Sequence, residues 1–163
     1  GGGSGSESKL ALKFERFTGS DAFTVDVPAG WRTIMIDEPV GGVTKTKLEE
    51  PDSLGTVEID QEADRPAEQR MREAEQMRSI EKGYRLITTV PQTVDGRDAQ
   101  LFWYEHDEGI GQGGIGPATV ATYFFNAGGS GWRTRAAVAH KAGDSAATAK
   151  AIATRMAKTL EPR

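Results

Sequence analysis

Two stretches, Arg97–His106 (RDAQLFWYEH) and Ala118–Ala127 (ATVATYFFNA), decide how this chain is layered. In a half-buried strand, bulky apolar residues take every second position. Here they take both parities. Leu101 and Trp103 alternate with Phe102 and Tyr104, and Tyr123 and Phe125 flank Phe124. A strand that is apolar on both faces must be covered on both faces. The two stretches are therefore read as inner strands of a sheet buried on each side.

Working outward, short extended runs bounded by turn residues supply neighbours for these strands. Leu10–Phe17 (LALKFERF), Phe23–Val27 (FTVDV), Trp31–Glu38 (WRTIMIDE), Val43–Leu48 (VTKTKL) and Gly55–Asp60 (GTVEID) come before them. Tyr84–Val90 (YRLITTV) and Trp132–His140 (WRTRAAVAH) complete the set. The periodicity changes in two places. From Pro66 to Lys82 the residues are strong helix formers with a stripe of Ala67, Met71, Ala74, Met77 and Ile80, stopped by Gly83. From Asp144 or Ser145, either of which can cap a helix, a second stripe of Ala149, Ile152, Ala153, Met156 and Leu160 runs to the end. The expected class is α+β, a central antiparallel sheet flanked by helices on both faces in an α/β/α sandwich.

The 163 residues, 37% hydrophobic and 27% charged, suit one domain over residues 10–163, preceded by a flexible Gly/Ser linker over residues 1–9 (GGGSGSES and Lys9). No run reaches the roughly 18 apolar residues of a membrane-spanning helix, so the domain itself is not expected to enter a membrane. With no cysteine, disulfides, thiolate nucleophiles and Cys-based metal sites are excluded together. The formal net charge of −4 argues against nucleic-acid binding. Basic residues nevertheless gather at the end of the chain. Arg133, Arg135, Lys141, Lys150, Arg155, Lys158 and Arg163 face only Asp144 and Glu161 there.

The segment His106–Pro117 (HDEGIGQGGIGP) contains a literal G-x-G-x-x-G at Gly109, Gly111 and Gly114. A phosphate cradle of that kind needs a helix after it, and here a strand follows. A kinase glycine loop would need H-R-D and D-F-G elsewhere, and neither occurs. The segment reads as a hairpin connection. His106, Asp107 and Glu108 are adjacent on a strand end and point in different directions, which makes a poor metal site. His140 has no visible partner for base catalysis. The carboxylate pairs Asp37/Glu38, Glu49/Glu50 and Asp60/Glu62 fall at strand ends or loops with no sign of burial. No catalytic residue, metal or cofactor is expected.

The order of elements, with Phe17–Trp31 (FTGSDAFTVDVPAGW), GYRL after the first helix and Val94–Tyr104 (VDGRDAQLFWY), resembles the Mog1/PsbP-like fold. It is most similar to actinobacterial lipoproteins of the LpqN kind and to the extracytoplasmic C-terminal regions of actinobacterial serine/threonine kinases. The resemblance implies a non-catalytic binding or sensor module outside the membrane, contacting a protein or a cell-envelope component and tethered upstream through the linker. No family motif for a metal or for a small GTPase can be matched onto these residues. Trp31 and Trp132, each following a turn, together with Arg133 and Arg135, are the candidate contact residues. The alternative is a sheet–helix pocket for a small molecule, lipid or anionic polymer, met by Arg133, Arg135 and the basic terminal helix.

Overall fold

The computed structural model describes residues 10–19, 22–107 and 115–163. The linker and the glycine motif at Gly109, Gly111 and Gly114, with Glu108, lie outside the described residues. The order is β1 (Phe14–Gly19), β2 (Phe23–Pro28), β3 (Arg32–Val40), β4 (Val43–Glu49), β5 (Gly55–Glu62), α1 (Ala67–Ser79), β6 (Tyr84–Val94), β7 (Arg97–His106), β8 (Ala118–Ala127), β9 (Ser130–Ala139), α2 (Ser145–Thr159) and β10 (Glu161–Pro162).

The strands form two antiparallel sheets rather than one. Seven make the main sheet, in the order β3-β4-β5-β9-β8-β7-β6, and β1-β2-β10 make a small one. All ladders of the main sheet join strands that follow one another in the chain, except β5 with β9, which closes the sheet across the first helix.

As the two-parity strands require, the apolar interior divides into two clusters. Leu101, Ala121, Tyr123 and Phe125 belong to the larger, with Trp132, Ile152, Ala153 and Met156. Phe102, Tyr104, Val120 and Phe124 belong to the smaller, with Met71. Alternate residues of β7 and β8 thus enter different clusters, as a pleated strand demands. Phe23, Val25 and Val27 of β2 add the small sheet to the larger cluster.

The stripe expected on α2 is fully inside. Asp144 sits at its start with φ 48° and makes no side-chain cap, contrary to the capping expectation, while the Ser145 hydroxyl bonds that of Thr119 at 2.9 Å. The stripe expected on α1 is only partly right. Met71 is buried, but Met77 and Ile80 are 73% and 86% exposed, and Arg70 is buried at 1%. Arg70 is accepted inside because its donors are all used. It reaches the main-chain oxygens of Arg65 (3.1 Å), Phe125 (2.8 Å) and Trp132 (3.4 Å), as well as Glu62 (3.2 Å) and Asn126 Oδ1 (3.3 Å).

Arg97 plays a comparable part at the end of α2. Its guanidinium donates to the carbonyls of Ala157 (2.6 Å) and Leu160 (3.0 Å) and lies 4.7 Å from the centre of the Phe125 ring. Helix carbonyls left over at a C-terminus are satisfied in this way. At the rims of the main sheet, pairing steps out of register between Thr33 and Glu38 and between Leu86 and Thr88.

Candidate functional site: a charged cleft beside the first helix

Strands β4, β5 and β9 bring charged residues into cross-strand rows. Lys45 stands opposite Asp60, and Asp60 opposite Arg133, while Glu58 stands opposite Arg135. Alternation explains the row. Val57 and Ile59 enter the larger apolar cluster, so Glu58 and Asp60 must point to the other side. The same holds for β9, where Trp132 enters that cluster and Thr134 donates to the Ala153 carbonyl of α2, leaving Arg133 and Arg135 on the opposite side.

The charges are desolvated unequally. Lys45 Nζ lies 3.2 Å from Glu58 Oε2 and 3.1 Å from Asp60 Oδ2. Arg133 Nη2 is committed to Glu62 at 3.1 Å, and its guanidinium stacks 5.4 Å from the Phe124 ring centre. Arg135 is held loosely, donating to the Tyr104 hydroxyl at 3.4 Å and lying 4.0 Å from Glu58. Asp60 is 2% exposed, and its Oδ1 is enclosed with no hydrogen-bond partner among the described residues. Burial, and then the Glu58 charge, push the Asp60 carboxyl up to about 7 against the pull of Lys45 and Arg133. For Glu58 burial acts upward too, but Arg135 and Lys45 outweigh it and hold the group below its ordinary value.

Over this row a cleft of about 110 Å³ is closed on the α1 side by Ala74 and Arg78. The exposed Met77 and Ile80 stand beside Arg78 at the same end of the chain's first helical segment. A carboxyl that holds its proton up to about pH 7 and has one unpartnered oxygen (Asp60) shares one cleft with a cation that has donors to spare (Arg135). That combination can hold a small polar group that both donates and accepts hydrogen bonds.

Of the residues expected to make contacts, Arg133 and Arg135 line this cleft. Trp132 does not belong to a contact surface. It is 0% exposed, its indole N–H donates to the Ala127 carbonyl at 2.9 Å, and Phe23 meets it edge-on at 5.6 Å. Trp31, 9% exposed, is likewise part of the core, its ring lying against Gly55 where any Cβ would come within 2.8 Å. Both expectations are corrected, because a turn before a tryptophan says nothing about which face its side chain takes. Nor do Arg133 and Arg135 meet the basic terminal helix, since the sheet lies between them.

Of Asp60 and Glu62, read from sequence as strand-end carboxylates, Asp60 is buried instead, and Glu62 is a half-buried residue whose side chain is turned inward. His106 is also largely enclosed, with Nε2 3.0 Å from Glu81 Oε2, and His140 Nε2 is enclosed without a partner among the described residues. Lys45 was not singled out from sequence, and Tyr104 was read there only as one of the bulky residues of its strand. The alternation of GTVEID and WRTRAAV already implies which charges share a side, and that was the available signal. Among the described residues no group of three or more His, Asp or Glu is placed to hold a metal ion, and no helix is long and apolar enough to cross a membrane.

No family model matches the chain, and no curated protein sequence matches it. Solved structures do. Cyanobacterial PsbP (CyanoP) from Synechocystis superposes with a TM-score of 0.62 at 13% identity, over 94% of this chain and 94% of that one. The Ran-binding protein Mog1p of Saccharomyces cerevisiae gives 0.59 at 11% identity, over 93% and 96%. LpqN of Mycobacterium tuberculosis, involved in cell envelope biogenesis, gives 0.52 at 14% identity, over 94% and 92%. At these identities the likeness is one of fold.

Proposed function

Starting from a chain with the Mog1/PsbP-like fold, we propose that it is a non-catalytic binding module that works outside the cytoplasmic membrane and holds a protein or cell-envelope partner at the Asp60–Arg135 cleft. The observation that carries this reading is the enclosed, unpartnered Asp60 Oδ1 beside the loosely held Arg135. A buried polar atom left without a partner is costly, and a bound partner that donates to it recovers that cost. Met77 and Ile80, exposed at the end of α1 that carries Arg78, add apolar area of the kind found at the centre of protein contacts. Two fold neighbours support the same direction, one being Ran-binding and the other involved in cell envelope biogenesis. The proposal includes a helix-covered sandwich, supported by the two apolar clusters. It also includes a membrane tether through residues 1–9 and a sensor role of the kind found in actinobacterial kinase ectodomains.

The test is capture from envelope extracts on the immobilised chain. The reading expects one species retained by the wild type and by Glu68→Ala, but lost from Arg135→Gln and from Asp60→Asn. Equal retention by all four proteins overturns it. Turnover of ester, phosphate or glycoside substrates that disappears in Asp60→Asn would replace binding with catalysis.

A further inference from the structure

On the other side of the main sheet a furrow of about 720 Å³ runs between α2 and strands β1, β6 and β7. Its floor is apolar. The rings of Phe14 and Trp103 pack against the core yet remain partly open, and Ala147 and Ala151 face them from the helix. These two alanines lie one turn apart on an exposed helix face, and their small side chains leave the furrow unfilled. The Trp103 indole N–H is enclosed and meets no acceptor among the described residues.

The rim is cationic. Lys150 Nζ stands 5.3 Å from the Trp103 ring centre, and the Arg155 guanidinium lies 4.9 Å from that of Phe14. Arg155 is bridged to Asp26 at 3.0 Å, and Asp26 is shared with Arg16 at 3.3 Å. Lys150 and Lys158 pair with no carboxylate among the described residues.

We propose that this furrow binds a single-chain anionic amphiphile, its apolar chain lying on Phe14 and Trp103 and its carboxylate drawn to the cationic edge that Lys150 and Lys158 form. Charge complementarity selects an anion, because the rim has two unpaired cations and its neighbouring acid is already bridged twice. β7 itself is hydrogen-bonded on both edges, to β6 and to β8, so an extended peptide can add no strand directly beside Trp103. The site is separate from the Asp60–Arg135 cleft. Trp103 and Tyr104 are consecutive residues that serve opposite sides of the sheet.

The experiment titrates the full chain with a bromine-tipped dodecanoate below its micelle concentration and follows tryptophan emission. Saturable quenching is expected, and it should vanish in Trp103→Phe, where only the core residues Trp31 and Trp132 still emit. The Lys150→Gln/Lys158→Gln double variant should weaken binding about tenfold, and the uncharged bromododecanol should bind wild type about tenfold more weakly. Ala151→Met, a surface change that fills the furrow, should abolish quenching while leaving the circular dichroism unchanged. Absence of saturable quenching, equal binding of the alcohol, or full binding to the double lysine variant overturns the proposal. Quenching seen only when the amphiphile is embedded in anionic vesicles would make this a lipid-surface contact and would overturn it as well.

Discussion

The guanidinium of Arg70 lies 3.2 Å from the carboxylate of Glu62 in a place where Arg70 is 1% exposed. Glu62 also receives Arg133, so one acid serves two cations. Truncating the cation of a buried pair costs about 3–5 kcal/mol, because its former acceptors lose their donors. Arg70→Met should lose about 3 kcal/mol of unfolding free energy in urea denaturation, the lower end applying because Arg133 still neutralises Glu62. Ile80→Ser, on the open side of the same segment, should stay within about 0.5 kcal/mol of wild type.

Gly131 sits where this network leaves no room. A Cβ there would come within 2.7 Å of the Ala63 carbonyl oxygen and 2.9 Å of the Arg70 guanidinium carbon. Overpacking of this kind costs about 1–3 kcal/mol. Gly131→Ala should therefore lower the melting temperature, whereas Gly129, with open space around it, should resist alanine only through its positive φ of 81°.

Asp60 makes stability depend on pH. Its carboxyl is raised from 3.8 to about 7, so the folded chain keeps a proton that the unfolded chain has already released. The contribution is whole below the unfolded value, declines as pH rises through that interval and is flat above about 7. Glu58 and Glu62, both held low, act in the opposite sense, since their stabilisation is lost as pH falls through their folded values. Denaturation between about pH 5 and pH 8 should show wild type weakening with pH, and Asp60→Asn should flatten that slope and be about 1–2 kcal/mol more stable at pH 8.

Arg97 closes the last turn of α2. Arg97→Gln should cost about 1–2 kcal/mol through the lost bonds to Ala157 and Leu160 and the lost stacking on Phe125. Hydrogen exchange locates the effect. Faster exchange is expected at the Leu160 amide, which donates to Met156, and not at the start of the helix.

The division of the core into two apolar clusters was legible because it depends on parity alone. Phe124 and Phe125 could not share a side, and α2 carries an unbroken stripe. The first helix was less legible. Its stripe pointed to Met77 and Ile80, but the residue that is anchored inside is Arg70, whose acceptors Phe125 and Trp132 come from strands far along the chain. No local pattern announces such a set of carbonyls. The cleft was half legible. Arg133 and Arg135 were singled out, yet the burial of Asp60 depends on β9 pairing with β5, a contact between segments far apart in the chain.

The irregular pairing at Thr33–Glu38 and Leu86–Thr88 falls in the two outermost strands of the main sheet, which also carry Ile34, Ile36, Leu86 and Ile87 in exposed positions. A regular, greasy border would template fibril growth. A kinked one offers an incoming strand a backbone that is out of step, so these residues can stay in water without seeding amyloid.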